Sequence, residues 1–512
     1  MKRKIITVLL LYVFCTNLCA QNISVSWQQN YGGTDYESPS KILITADGGF
    51  IFASSTSSND GDISLNNGFF DYWIVKTDQS GEIEWESSFG EYEGDICHDM
   101  IPGINGGWLA VGFTTVHDPD TNTNTNVWVV KIDGNGEMEW QESYGGSESE
   151  NAFAVIATSD SNYMLAGMTN SSDGDVSFNN GDGDIWLIKI DTDGQLLWEK
   201  TYGGSLGDLA LYLIELPDSG ILITGYSYSS DGDIEFNYGY HDAVVIRTDN
   251  VGNMLWQKTY GGSGQDKLES VVLCDDNGFL IAGRTNSDDH DVTGHIGEDD
   301  IWILKLDSGG NLEWQKTFGG SDNEYLGQII KSEDNKYIVI ATSYSDDYDL
   351  SSNAGEGDIW IFEIDTSGNK GWSFSAGGSG FDYALKGCPL YEGKLIIIAR
   401  SNSIDGDFTL NYGFDDIWLL ILEMTNSDRS IESHQKSCIY PNPTGGEFTV
   451  FIENSDNQMK LLALYDALGG LIWKKISDDS EVKQNISKLP EGIYYLNIIG
   501  TGYSLSKKII KH

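Results

Sequence analysis

From Glu150 to Gly204 the hydrophobic positions fall into four short runs: ENAFAVIATSD (150–160), NYMLAGMT (162–169), DIWLIKID (184–191) and QLLWEKTYGG (195–204). Each run is rich in apolar, β-branched and aromatic residues and is bounded by Gly, Asp, Asn or Ser. None has the length or the 3.6-residue spacing of a helix, so the pattern predicts four antiparallel strands. The same sequence of runs returns along the chain, marked by the phrases WQQNYGG, WQESYGG, WEKTYGG, WQKTYGG and WQKTFGG. The tryptophans at these places are Trp27, Trp85, Trp140, Trp198, Trp256, Trp314 and Trp372, separated by 58, 55, 58, 58, 58 and 58 residues. So regular a pitch makes each repeat one supersecondary unit.

The joint between the third and fourth runs reads Asp78-Gln-Ser-Gly81 and recurs as Asp-x-x-Gly at 133–136, 191–194, 249–252, 307–310 and 365–368. An Asp accepting turn amides, with Gly in a left-handed position, predicts a tight hairpin. A sheet of four such strands cannot bury its own faces. Stacking copies supplies the missing contacts, and curling the row into a ring leaves no end sheet exposed. A second series, Trp73, Trp128, Trp186, Trp302, Trp360 and Trp418, with Val244 in the fourth repeat, supplies flat surfaces for packing between sheets. A sugar-binding ladder is the competing use of that series.

The chain opens with a fourth-run phrase, ISVSWQQNYGG, and lacks one after DDIWLLILE at 415–423. The first strand is therefore expected to complete the last sheet. The predicted fold is all-β: a seven-bladed β-propeller over residues 21–427, closed by its N-terminal strand. A polar linker (428–438) and a small β-sandwich (439–512) follow. A linear β-solenoid is the alternative, and it would leave an unfinished strand set at each end.

Residues 1–20, MKRKIITVLLLYVFCTNLCA, have the basic start, apolar middle and small final residue of a secretory signal peptide. Neither Cys15 nor Cys19 follows the small and aliphatic residues that lipidation needs. No other stretch approaches a membrane span, so the mature chain is expected to be exported without one. Cys97, Cys274, Cys388 and Cys438 stand at unrelated places in the repeat and form no disulfide framework. Net charge is −48, and residues 21–438 hold 19 basic against 70 acidic residues, a net of −51. Such a surface repels nucleic acid and anionic lipid, and favours cations, basic partners or uncharged ligands; solubility alone also accounts for it.

Two acidic series keep the phase of the repeat. Glu37, Asp95, Glu150, Asp208, Asp266, Glu324 and Asp382 lie ten residues after each repeat Trp. They either form an axial ring of like charges that raises its own pKa values and attracts a cation, or tie down the adjacent Gly-Gly turn. The second series has an Asp-x-Asp pair and a further Asp nine residues on. It comprises Asp60, Asp62 and Asp71; Asp173, Asp175 and Asp184; Asp231, Asp233 and Asp242; Asp289, Asp291 and Asp300; Asp347, Asp349 and Asp358; Asp405, Asp407 and Asp416. Calcium takes oxygens of this kind, but the spacing is not that of an EF-hand loop, and short Asp pairs also make turns. No cofactor is required by the pattern; Ca2+ is the candidate metal for these carboxylates. Repeat two has VHDPDTNTNTN (116–126) in place of this loop, which marks either a ligand site or loop drift. His290 and His295 share a loop with Asp289 and Asp291. The seven histidines otherwise show no HExxH, ligand set or triad spacing, and no phosphate- or dinucleotide-binding motif occurs.

In the tail, Tyr440-Pro441-Asn442-Pro443 with Gly446, the LALYDALGG stretch, Leu489-Pro-Glu-Gly492-Ile-Tyr494 and the basic pair Lys507-Lys508 stand in order. This stretch resembles the type A C-terminal sorting domain of the type IX secretion system of Bacteroidota. The resemblance implies the type IX secretion machinery as a partner, and passage across the outer membrane to a secreted or cell-surface location. Residues 21–427 resemble the repeat propellers found ahead of such tails, which supports architecture more than activity. The expected function is a non-catalytic exported propeller that binds a polysaccharide or protein. The alternatives are a polysaccharide hydrolase or lyase with an acidic axial site, and a structural surface-layer or gliding component.

Overall fold

The computed structural model describes residues 21–116, 124–332, 335–350, 353–390, 393–408, 411–426, 437–440, 446–452, 460–466, 471–477, 481–490, 492–500 and 503–511. The stretch read as a signal peptide lies outside them. The chain divides into two compact units between Asn426 and Ser427, and no α-helix occurs among the described residues.

In the first unit, seven four-stranded antiparallel sheets succeed one another. Blade one consists of Glu37–Ile44, Phe50–Thr56, Asp71–Thr77 and Ile83–Phe89, and the next five blades repeat the scheme. Blade seven takes Asp382–Pro389, Lys394–Ser401 and Asp416–Asn426 from the end of the unit and Gln21–Tyr31 from its start. The closing pair runs from Gln21 opposite Asn426 to Tyr31 opposite Ile417. Trp418 Nε1 donates to Gln28 Oε1 at 2.8 Å. Trp73, Trp186 and Trp302 make the same bond to Glu86, Glu199 and Gln315 of their own fourth strands. The first strand thus stands in a fourth-strand place, and the fold is a seven-bladed propeller closed by its N-terminal strand. First strands of neighbouring blades lie beside one another and so line the axis.

The core is divided among the joints rather than concentrated at a centre: each of seven hydrophobic clusters draws on two adjacent blades. The third-strand Trp series belongs to these clusters, with Trp128 the least buried at 7% exposed and Val244 fully buried. Burying the ~200 Å2 of an indole at ~25 cal/mol/Å2 is worth roughly 5 kcal/mol, so these joints dominate the stability of the ring.

The repeated phrase clamps one blade to the next. A methyl group at Gly252 (φ +80°) would lie 2.8 Å from the Trp198 ring, so the indole seats directly on the next blade's hairpin glycine. Tyr202 of the same phrase donates its hydroxyl to the Gly252 carbonyl at 2.6 Å, and Tyr31 does the same to Gly81 at 2.6 Å. Where Phe89 or Phe318 replaces the tyrosine, Ser87 Oγ donates to Gly136 O at 2.9 Å and Lys316 Nζ to Gly368 O at 2.9 Å. The hairpins themselves have the expected chemistry, with Asp78 Oδ1 accepting the amides of Ser80 and Glu82 at 2.7 and 3.1 Å.

The second unit pairs a three-stranded sheet (Ser437–Tyr440, Glu447–Ile452, Glu481–Asn485) with a four-stranded one (Leu471–Ser477, Lys460–Asp466, Gly492–Gly500, Tyr503–Lys511). Phe448, Val450 and Val482 from the first pack with Leu462, Leu464, Leu496 and Ile498 from the second. Its first strand begins at Ser437, inside the stretch read as a linker.

Candidate functional site: the Gly-Gly turn face

Among the described residues, the second-to-third and fourth-to-first connections of the blades emerge at one end of the ring. The Gly-Gly turns, the Asp-x-Asp loops and both acidic series are therefore collected on one face. Each member of the first acidic series opens a first strand and is at most 2% exposed. One oxygen accepts the amide of the second glycine of the turn: Gly33 to Glu37 at 3.0 Å, Gly146 to Glu150 at 3.0 Å, Gly204 to Asp208 at 2.8 Å, Gly262 to Asp266 at 2.8 Å, Gly320 to Glu324 at 2.9 Å and Gly378 to Asp382 at 2.7 Å. The Glu91 amide does this for Asp95 at 2.8 Å. The other oxygen accepts a hydroxyl from the second strand, as from Thr56 to Glu37 at 2.7 Å, Thr169 to Glu150 at 2.8 Å and Ser343 to Glu324 at 2.6 Å. Ser227, Thr285 and Ser401 serve Asp208, Asp266 and Asp382 in the same way. These are the bonds of the turn-tying reading. Burial still pushes the carboxyls of Glu37, Asp95, Asp208, Asp266 and Glu324 upward against those bonds, and that of Asp382 to about 6.

The second series does not come together as the spacing grouped it. Asp60 accepts the amide of Thr34 and Asp62 that of Gly32, which places both at the joint between blades seven and one. Asp71 lies at the next joint, against Gly90 and Asp95. The other loops follow suit: Asp173, Asp231, Asp289, Asp347 and Asp405 accept amides at 2.7–2.8 Å, and Asp175, Asp233, Asp291, Asp349 and Asp407 at 3.1–3.3 Å, all from their own blade's turn. The middle residue of each pair is left-handed. It is Gly61, Gly174, Gly232 and Gly406 in four blades but His290 (φ 54°) and Tyr348 (φ 51°) in blades five and six. A left-handed Tyr or His costs of order 1 kcal/mol that glycine would not.

The third member of each group has one bonded and one orphaned oxygen. Asp71, Asp184, Asp242, Asp300, Asp358 and Asp416 accept a loop amide at Oδ2, as from Ile296 to Asp300 at 2.8 Å, while Oδ1 is buried and accepts no hydrogen bond. That oxygen points at the first glycine of the next turn and at the acid beyond it. A methyl group at Gly319 would lie 2.3 Å from Asp300 Oδ1 and 2.2 Å from Glu324 Oε2, and the same crowding recurs at Gly32, Gly90, Gly203 and Gly377. Burial, then the neighbouring carboxylates, raise Asp71 and Asp184 to about 6 and Asp242, Asp300 and Asp416 to about 7, with Asp358 also raised. Blade two carries the neutral Asn126 here, its Oδ1 likewise orphaned against Gly145 and Glu150. Among the described residues no group of three or more His, Cys, Asp or Glu is arranged to hold a metal ion. His290 stacks on Tyr238 at 4.1 Å, and His295 meets the Glu298 carbonyl at 2.5 Å. Within repeat two, residues 117–123 lie outside the described residues, and Asn124 bonds the Ser147 carbonyl at 2.9 Å.

What the acidic series concealed is an aromatic surface. All ten exposed Tyr and Phe side chains described in the ring lie on this face, among them Phe69, Tyr92, Phe178, Tyr240, Tyr348 and Phe414. Tyr36 and Phe414 stack at 4.9 Å across the closing joint. Beside the axis the blades differ: the cross-strand pair next to the buried acid is Ser38–Ser55 in blade one but Lys267–Arg284 in blade five and Tyr383–Arg400 in blade seven. Arg284 lies over the Tyr325 ring at 4.4 Å. These residues stand at positions where the copies diverge, and divergence between otherwise matching copies is the signal in the sequence that marks them.

Residues 438–512 match the family described as secretion system C-terminal sorting domain. The C-terminal unit is a sorting domain. Within it, Gly446, Gly492, Tyr494 and Lys507 are described, whereas Pro441, Asn442 and Pro443 lie outside the described residues and nothing is described of the Tyr440 and Lys508 side chains. Tyr494 is buried and donates to the Pro490 carbonyl at 2.8 Å. A sorting domain of this kind hands its passenger to the type IX secretion machinery, so the propeller is an exported passenger delivered to the cell surface or beyond. No helix among the described residues is long and apolar enough to cross a membrane. The chain is also similar to the regulatory protein FlaEY of Caulobacter vibrioides, 24% identical over 215 residues that make up 38% of this chain and 22% of that protein. Among solved structures it is similar to the Pan2 WD40 domain of Neurospora crassa (12% identity, 77% of this chain and 95% of that one, TM-score 0.40). A second similar structure is that of a puromycin hydrolase (11% identity, 71% and 50%, TM-score 0.41).

Proposed function

We propose that the passenger is a non-catalytic binding module that presents the Gly-Gly turn face to a polysaccharide or protein outside the cell. The observation that carries this reading is the confinement of every exposed Tyr and Phe described in the ring to that one face. Scattered exposed apolar residues are ordinary on any surface, but a concentration of large aromatic side chains on one side marks a contact surface. The left-handed Tyr348, 71% exposed where four blades have glycine, adds a local strain that packing within the ring does not explain. The acids beside the axis, Asp95, Glu150 and Asp208 among them, on which a hydrolase or lyase at the axial mouth would draw, are committed to turn amides, which favours binding over catalysis there.

The test is retention of the purified exported chain on a panel of surface polysaccharides and outer-membrane protein extracts, with the eluates assayed for shortened products. Saturable retention without product supports the reading. Product release turns the assignment to an enzyme, and blank results across the panel overturn it.

A further inference from the structure

The blades share their turn chemistry but not the side chains at the inner end of the turn face. In blades five to seven these form a continuous stack from blade to blade. Arg284 lies over Tyr325, whose ring centroid is 5.9 Å from that of Tyr383, and Arg400 lies 5.7 Å from the Tyr383 ring. Three cations of the arc have a carboxylate in contact, Lys267 with Glu269 at 2.9 Å, Arg284 with Glu269 at 3.4 Å and Asp299 at 3.6 Å, and Arg400 with Asp415 at 3.5 Å, while the buried Lys386 below them donates to the Gly327 carbonyl at 2.9 Å. The arc is thus a neutral island in a ring whose net charge is −51. Arg284 Nε and Glu269 Oε2 are buried and face each other as that 3.4 Å ion pair, without hydrogen-bond geometry.

We propose that this arc is a subsite for a neutral polysaccharide chain; the proposal rests on the binding function above and specifies its ligand. Paired charges leave no net field to hold an anion, and the surrounding acid repels one. They do leave planar donors and acceptors held in fixed orientation, which suits vicinal hydroxyls that must both donate and accept. Arg284 covers one face of Tyr325 and Arg400 lies against Tyr383, so what the partly exposed rings offer the C–H face of a pyranose is their remaining surface, with each phenol as a polar handle. The middle of the arc is also recessed: the Arg284 side chain is 18% exposed and both tyrosines are partly buried, while Arg400 at its edge is 40% exposed. A folded protein surface, which needs about 800 Å2 of contact, does not reach into such a recess, whereas a single sugar chain does.

The full exported chain is run in native gels containing laminarin, yeast mannan or soluble starch as neutral probes and polygalacturonate as the anionic one. At least one neutral polymer should retard it. The pair Tyr325→Ala and Tyr383→Ala should weaken that retardation about tenfold or more. Tyr325→Phe with Tyr383→Phe, which keeps the rings, and Leu255→Ala, exposed on the outer strand of blade four, should leave it within about threefold. Arg284→Met, which keeps the stem on Tyr325 but removes the donors, should also weaken binding and covers the case in which the double alanine variant does not fold. Absence of retardation by any neutral polymer, or retardation by polygalacturonate alone, overturns the proposal. Undiminished binding by both the alanine pair and Arg284→Met removes this subsite while leaving polysaccharide binding intact. Retention of outer-membrane proteins without any polymer also ends the proposal and leaves the binding function standing with a protein partner.

Discussion

Replacing Asp300 by Asn tests whether the orphaned carboxyls at the joints strain the ring at neutral pH. Asp300 is 1% exposed, with one oxygen on the Ile296 amide and the other unpaired beside Glu324. Burial first, then Glu324, Asp349 and Asp299, raise its pKa from 3.8 to about 7. A carboxyl raised in the folded state contributes its full stability below pH 3.8, and that contribution is lost as pH rises through about 7. At ~1.4 kcal/mol per pKa unit the loss has a ceiling of about 4 kcal/mol. Asp300 and Glu324 share one proton's worth of relief, and the joint relaxes, so about 1–2 kcal/mol is the expected effect. Asparagine keeps the acceptor for Ile296 and can turn a donor toward Glu324, and blade two already holds a neutral asparagine, Asn126, at this place. Urea unfolding followed by tryptophan fluorescence should show Asp300→Asn more stable than the parent by about 1–2 kcal/mol at pH 8, a gain that falls to less than half of that at pH 5 and vanishes below pH 3.8. The exposed Asp288→Asn on the same face controls for the general loss of one negative charge. Groups with lowered pKa values, such as Asp47 at about 2, act below pH 4 and do not intrude on this window. Equal destabilisation of Asp300→Asn at both pH values would refute the reasoning, because it would mean that the ionised carboxylate is needed.

Three further outcomes follow from the same joints. Gly203→Ala would place a methyl group 2.3 Å from Asp184 Oδ1 and 2.6 Å from Asp208 Oδ2, and should cost about 3 kcal/mol or more in thermal or urea unfolding; a loss under 1 kcal/mol would show that the joint gives way easily. Tyr202→Phe removes the bond to the Gly252 carbonyl without changing the packing of the ring, so a loss of about 1 kcal/mol is expected, checked by urea unfolding. Because the Asp-x-Asp carboxylates already accept turn amides, melting curves with Ca2+ and with chelator at low salt should overlap; a separation of several degrees would place calcium at these loops after all.

Much of the architecture was legible in the chain. The tryptophan pitch counted the blades, Asp-x-x-Gly located hairpins whose glycines are left-handed, and the unmatched first phrase announced the closing strand. Periodic features of this kind are local, so each copy restates them. The candidate site was less legible because its evidence is not periodic. Asp60, Asp62 and Asp71 look like one loop, yet the turn that binds the first two and the glycine that meets the third belong to different joints. Arg284, Tyr325 and Tyr383 come from three blades at unremarkable places in their runs, and only ring closure stacks them.

Strand pattern, blade number, export tail and the excess of acid were determined by the sequence alone, since each depends on residue type and short-range spacing. Which carboxylates meet, which oxygens are left without a partner, and which faces carry the aromatic rings were decided by the tertiary structure. The physical reason is that a joint is made by two sheets, and each carboxyl answers to the blade beside it as much as to its own.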